Sequence, residues 1–144
     1  MLDNTSIGSI RKGALTIQKK EKIGVQDPDT AKTLIEKSLD ADKAIDITTI
    51  SLKETSALAD YIIVASGSSS RHVAALAEKL RKKLEKVGLK NIRIEGLPQA
   101  DWVVLDAGDV IVHIFRPEVR AFYNIEKMWM AFPSVDGASQ HAQV

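Results

Sequence analysis

Apolar and polar positions divide the chain into a series of short elements. Asp27 can cap a helix whose first position is Pro28, because the proline ring presets the helical φ and lacks an N–H that the first turn leaves unpaired anyway. Leu34, Ile35, Leu39 and Ala31 then supply a modest apolar stripe, which predicts a helix over about 28–42. AIDITTI follows, and its Ile45, Ile47 and threonines favour a strand. After a polar connection through Lys53 and Glu54 comes YIIVAS at 61–66, short, almost wholly apolar and rich in β-branched residues. Such a run predicts a central strand covered on both faces.

GSSS at 67–70 ends that strand. Val73, Leu76, Leu80, Leu84 and Val87 then recur at three- and four-residue steps, the spacing of one face of a helix. The serines are natural N-caps, and Gly88 suits the left-handed position after the last turn. NIRIEG at 91–96 predicts a third strand. WVVLDAGDVIVHIF predicts two more, joined by a tight turn through Asp106, Ala107, Gly108 and Asp109. A last helix is expected from Pro117 to about Met130. The order is helix, two strands, helix, three strands, helix. It predicts one α/β domain over 27–132 with a mixed, about five-stranded sheet flanked by helices. Residues 1–26 and 133–144 show no sustained period and are expected to be a flexible leader and a flexible tail.

A chain of 144 residues, 44% hydrophobic and without cysteine, can bury a core without disulfides. The absence of cysteine also excludes a thiolate nucleophile and a sulfur-ligated metal. No apolar run reaches the roughly 20 residues of a membrane span, and the first residues lack the pattern of a signal peptide. Asp3 and Glu21 interrupt the basic residues that a transit peptide would need, so the expected location is cytoplasmic. The net charge of +1 hides an uneven distribution. Residues 71–90 hold seven Lys or Arg against two Glu, and residues 91–132 hold four basic against six acidic groups.

Several chemistries can be tested against the motifs. A helix start after a Gly-Ser turn can bind phosphate. Gly67, however, is a lone glycine without the Lys-Ser/Thr ending of a P-loop or the triple glycine of a dinucleotide site. A nucleotidyltransferase using Gly67 and Ser68 would need paired carboxylates one residue apart on a nearby strand to hold magnesium, and no such pair follows the turn. NIRIEG offers only Arg93 and Glu95. Ser68–Ser70 lack a nucleophile elbow, and His113 lies inside an apolar strand, where a structural role is expected. Three histidines without ligand spacing argue against metal. The basic run Arg81, Lys82, Lys83, Lys86 and Lys90 reads as a solvated face, with RNA phosphate contact as the alternative. The final helix differs. Val119, Phe122, Tyr123, Ile125, Met128, Trp129 and Met130 spread too widely for one narrow core-facing stripe, which leaves some for a partner, with a well-covered core helix as the alternative that periodicity alone allows.

SGSSSRHVAALAEKL, EGLPQADWVVLDAGDVIVHIF and RAFYNIEKMW, taken as a set over about residues 28–132, resemble the ribosomal silencing factor (Iojap-like) family. The resemblance implies a nucleotidyltransferase-like fold without catalytic carboxylates, and a protein that is not an enzyme and carries no cofactor or metal. It implies binding to the large ribosomal subunit through its protein numbered fourteen, steric hindrance of joining to the small subunit, and repression of translation when nutrients are short. It further implies a homodimer in the free state, and organellar relatives that assist large-subunit maturation. The partner-binding residues expected on this reading are Asp101, Trp102, Asp106, Asp109, Tyr123, Glu126 and Trp129. They form an aromatic and acidic set suited to a basic ribosomal protein. Two alternatives stand beside it: a nucleotide-binding or nucleotidyl-transferring enzyme, and an RNA-binding assembly factor using Lys82, Lys83 and Lys86.

Overall fold

Asp27 accepts a hydrogen bond from the Thr30 N–H at 3.0 Å and so starts helix α1, Pro28–Ala41, as its Asp-Pro opening predicts. The computed structural model describes residues 27–130 except 55 and 57. The expected leader 1–26 and tail 133–144 lie outside the described residues. Strands β1 (Ile45–Ser51) and β2 (Tyr61–Ser66) follow, then helix α2 (Ser70–Lys86), capped by the Ser69 side chain. Gly88, at φ 102°, lies just past its end. Strand β3 is only Arg93–Glu95, shorter than NIRIEG suggests, and β4 (Trp102–Asp106) and β5 (Val110–Phe115) form the expected hairpin.

The five strands make one mixed sheet in the order β1-β2-β5-β4-β3, with β2 and β5 parallel and the other neighbours antiparallel. Alternation then sorts side chains to two faces. Ile63, Ala65, Val103, Leu105, Val110, Val112 and Ile114 point to the face covered by α1 and α2. There they meet Ile35 and Leu39 of α1 and Val73, Leu76, Ala77, Leu80 and Leu84 of α2, while Val87, expected in the same stripe, is the C-cap after the last turn and is exposed. Ile62, Val64 and Phe115 point the other way, into a smaller cluster with Ile50, Leu52 and Ile125, flanked by Trp102, Val119 and Trp129. Covering both sides of β2 explains its unbroken apolar sequence.

The predicted single C-terminal helix is two. Helix α3, Pro117–Tyr123, stops because Asn124 adopts the left-handed conformation, φ 48° and ψ 50°, and α4, Ile125–Met130, begins after that break. The break resolves the wide apolar spread. Ile125 is buried on one helix, while Phe122 and Tyr123 are exposed on the other.

Helix α3 buries no residue completely. Arg120 ties it down instead. Its guanidinium donates to both carboxylate oxygens of Glu126, at 3.0 and 2.7 Å, to Ser66 Oγ at 2.9 Å, and to Thr48 Oγ1 and the Ile45 carbonyl at 3.3 Å. The β1 register shifts between Ile45 and Thr48, and that irregular stretch supplies two of these acceptors. The Arg120 side chain is only 11% exposed, so the five contacts act where water competes little.

Arg120→Met is therefore expected to lower stability by about 2–3 kcal/mol, roughly 10–20 °C in Tm for a domain of this size, because it strands the Glu126 carboxylate. Pairing it with Glu126→Leu should recover part of the loss. Circular dichroism melts of the two variants check this, and equal melting points would show that the pair does not act as a unit.

Candidate partner-binding surface

The surface begins with a backbone constraint. Gly96 sits at φ 107°, and a Cβ there would lie 2.2 Å from the Trp102 carbonyl oxygen, so only glycine lets the chain turn back beside the start of β4. That turn fixes Trp102 on the sheet face opposite α2. Its ring stacks on Phe115 at 4.9 Å and meets Tyr123 at 4.9 Å, tilted by 42°. Phe122 stands edge-on to Tyr123, also at 4.9 Å. Burial declines along this series: Phe115 is in the core, Trp102 half-buried, Tyr123 52% exposed and Phe122 80% exposed. Aromatic packing thus continues from the core into solvent, which holds the outer rings in place before any partner arrives.

Asp101, Trp102, Glu118, Val119, Phe122 and Tyr123 line an open groove of about 360 Å³ beside these rings. Its rim is acidic. Asp101 and Glu118 share one cation, Arg116, at 3.0 and 3.1 Å. The Arg116 Nε–H is not aligned on Asp101 as a hydrogen bond, so this contact is charge attraction alone.

Behind the rings, the Trp102 indole N–H donates to His113 Nδ1 at 3.0 Å. An indole nitrogen can only donate, so His113 must accept there and, when neutral, carries its proton on Nε2. Burial pushes the His113 pKa down to about 4. The histidine is thereby a structural acceptor behind Trp102.

The seven expected partner residues do not make one patch. Asp101, Trp102 and Tyr123 come together. Asp106 and Asp109 lie at the far end of the β4-β5 hairpin, about 13 Å from Trp102 along the strand. Asp106 there accepts the Gly108 N–H at 2.8 Å and closes the turn, while Asp109 is exposed. Glu126 is committed to Arg120, and Trp129 packs half-buried on the second apolar cluster. Phe122, the most exposed aromatic among the described residues, is absent from the expected set. The signal for it was its place beside Tyr123 on a helix with too many apolar residues for one stripe.

The Gly-Ser turn is filled by the protein itself. The Gly67 N–H donates to the Phe115 carbonyl, the Ser68 N–H to His72 Nδ1 and the His72 N–H to Ser69 Oγ. A Cβ at Gly67 would lie 2.9 Å from the Val73 backbone nitrogen, so this glycine serves helix-strand packing. His72 Nε2, 3.0 Å from the Asp42 carbonyl oxygen, links α2 to the end of α1. Among the described residues, no group of three or more His, Asp or Glu could hold a metal, and no helix is long and apolar enough to cross a membrane.

Comparison with known proteins points one way. The sequence model of a family described as "Ribosomal silencing factor during starvation" matches residues 25–144. A ribosomal silencing factor from Zymomonas mobilis is 53% identical over 103 residues, which is 72% of this chain and 77% of that protein. A mouse protein named "Mitochondrial assembly of ribosomal large subunit protein 1" is 32% identical over 91 residues, 61% of this chain and 40% of its own length. Among solved structures, a protein from Chromobacterium violaceum superposes with a TM-score of 0.70 at 36% identity, covering 72% of this chain and 87% of that one.

The buried histidine has a consequence for pH. The unfolded chain protonates His113 near 6.5 and the folded protein only near 4, so between these values the unfolded state binds more protons. Stability from this source is complete above about pH 6.5 and is lost as pH falls towards 4. The difference in Tm between wild type and His113→Leu should shift in favour of the variant across that window. A constant difference from pH 7.5 to 4 would show that His113 titrates alike in the folded and unfolded states.

Proposed function

The chain belongs to the ribosomal silencing factor family, and we propose that it is a binding protein that docks on the large ribosomal subunit through the Trp102–Tyr123 surface. On this reading its target is the large-subunit protein numbered fourteen. By occupying the face that meets the small subunit, it sterically prevents joining and lowers translation when nutrients are short. The observation that carries the docking site is the outward run of aromatic rings, from Trp102 on β4 to Tyr123 and the 80% exposed Phe122 on α3, a helix with no completely buried residue. Large rigid rings offer contact area at small entropic cost, which suits them as interface hot spots.

Asp101 and Glu118 on the groove rim, with Asp109 farther along the hairpin, supply the negative field that a basic ribosomal protein would meet. Such rim charges speed and orient docking, and each adds only about 0–1 kcal/mol to affinity. The mouse relative, named for assembly of the large subunit, supports that subunit as the partner. Cytoplasmic location and a homodimer in the free state belong to the same proposal and rest on the family resemblance. The enzyme alternative loses support from the Gly-Ser turn, whose N–H groups at Gly67, Ser68 and His72 already have partners.

Density-gradient sedimentation with purified subunits tests the proposal. The protein should co-migrate with the large subunit and reduce the joined fraction. Tyr123→Ala should weaken subunit binding by roughly 1–3 kcal/mol, about 5- to 150-fold in Kd, with a smaller Tm change than Arg120→Met gives. A folded Phe122→Ala, Tyr123→Ala double variant that binds and blocks joining like wild type would remove this surface from the docking role.

A further inference from the structure

Helix α2 carries its charges in sorted arcs. Its apolar stripe is consumed by the core. On one flank Arg81 lies 2.6 Å from Glu78 and 3.5 Å from Glu85. On the other, Lys83 reaches across to Asp42, the residue capping the end of α1, at 3.1 Å. Between these flanks, directly away from the core, stand Arg71, Lys79, Lys82 and Lys86, all exposed, and among the described residues none has an acidic partner within 4 Å. At 100° per residue the four fall within an arc of about 80°, and their Cα atoms span about 22 Å along the axis. Ala75, at the middle of that arc, adds no bulk.

We propose that this outer face of α2 binds the sugar-phosphate backbone of RNA. A row of cations without internal acidic partners, and without an aromatic or large apolar side chain among them, can hold successive phosphates by charge alone, without base recognition. A membrane surface fits less well, because α2 has no apolar face left to insert. An acidic protein would be expected to use aromatic or apolar anchors among the charges, and the arc holds none. The set differs from the basic run in the sequence, whose Lys90 lies past the end of the helix. Arg81 and Lys83 are excluded by their internal partners, while Arg71 and Lys79 are included. The stripe lies on the opposite side of the sheet from Trp102 and Tyr123. Its action goes beyond the protein-docking reading and does not depend on it.

The test is fluorescence anisotropy of a labelled 16-base-pair RNA duplex titrated with the full chain at 50–200 mM salt. Wild type should bind with half-saturation at roughly 10–100 µM in 50 mM salt, and log affinity should fall against log salt with a slope of about −3. Replacing Lys79, Lys82 and Lys86 together by Gln keeps helix propensity and leaves Arg71 alone. That variant should bind at least tenfold more weakly, with a slope near −1, at an unchanged Tm. Phe122→Ala with Tyr123→Ala should bind the duplex like wild type, so failure of the docking surface and failure of the stripe are distinguishable. Absence of wild-type binding at 200 µM protein would overturn the inference. Equal binding by the triple variant, or competition by polyglutamate as strong as by unlabelled RNA at equal charge, would do so too.

Discussion

Arg120 holds α3 to the sheet with charge-assisted hydrogen bonds, beside the partial burial of Val119 alone, and the candidate surface depends on that clamp. A helix of seven residues is too short to persist on propensity. Had it been held by the usual apolar stripe, Phe122 and Tyr123 would be the residues to turn inward. Instead one guanidinium engages Glu126, Ser66, Thr48 and the Ile45 carbonyl, and the aromatic side chains are left outside. The arrangement needs the irregular stretch of β1 and the break at Asn124, because the first presents acceptors and the second brings Glu126 back towards Arg120.

The aromatic run has a second support. Trp102 belongs to the sheet through β4, to the core through Phe115 and to the surface through Tyr123. Its indole N–H satisfies His113, so a polar side chain inside an apolar strand has a partner on its own sheet face. Neutral histidine is the form that can accept from the indole, and burial favours that form. Packing and protonation thus favour the same geometry, which leaves the outer rings little conformational freedom to lose when a partner binds.

How much of this the residues disclose by themselves depends on the range of the interaction. The caps at Asp27 and Ser69, the stripe of α2, the doubly covered β2 and the hairpin turn at Asp106–Asp109 are local or periodic, and inspection of the sequence finds them. The clamp at Arg120 was not legible, because its acceptors lie 6 to 75 positions away and its own neighbourhood reads as one continuous helix. Asn124 carries only a weak signal, since asparagine tolerates the left-handed region but occurs in many other settings. Missing that break merged two helices, and it made Glu126 resemble a free surface carboxylate. The expected acidic surround of Trp102 was legible in kind. Asp101 stands there with Glu118 in place of Glu126, while Asp106 and Asp109 sit at the other end of a strand whose length separates them.

The two faces of the sheet use different physics, and the core between them keeps their contributions separable. Rings in the Trp102 groove act over van der Waals distances and resist salt, whereas an exposed cationic row acts over about a Debye length and weakens as salt rises. A ligand made of both protein and nucleic acid presents both kinds of target. Cations would then raise the encounter rate and the rings would set the residence time. Lys79, Lys82 and Lys86 share no hydrogen-bond partner with the groove residues, and the polar link from α2 runs from its first residue, where Ser70 Oγ donates to Asp101 at 3.3 Å, so substitutions at those lysines should leave the free-energy contribution of the rings unchanged. Coupling between them can pass through the Ser70–Asp101 hydrogen bond and through β4 and β5, which carry Trp102 and Phe115 on one face and Val103, Leu105, Val112 and Ile114, packed against the helix layer, on the other.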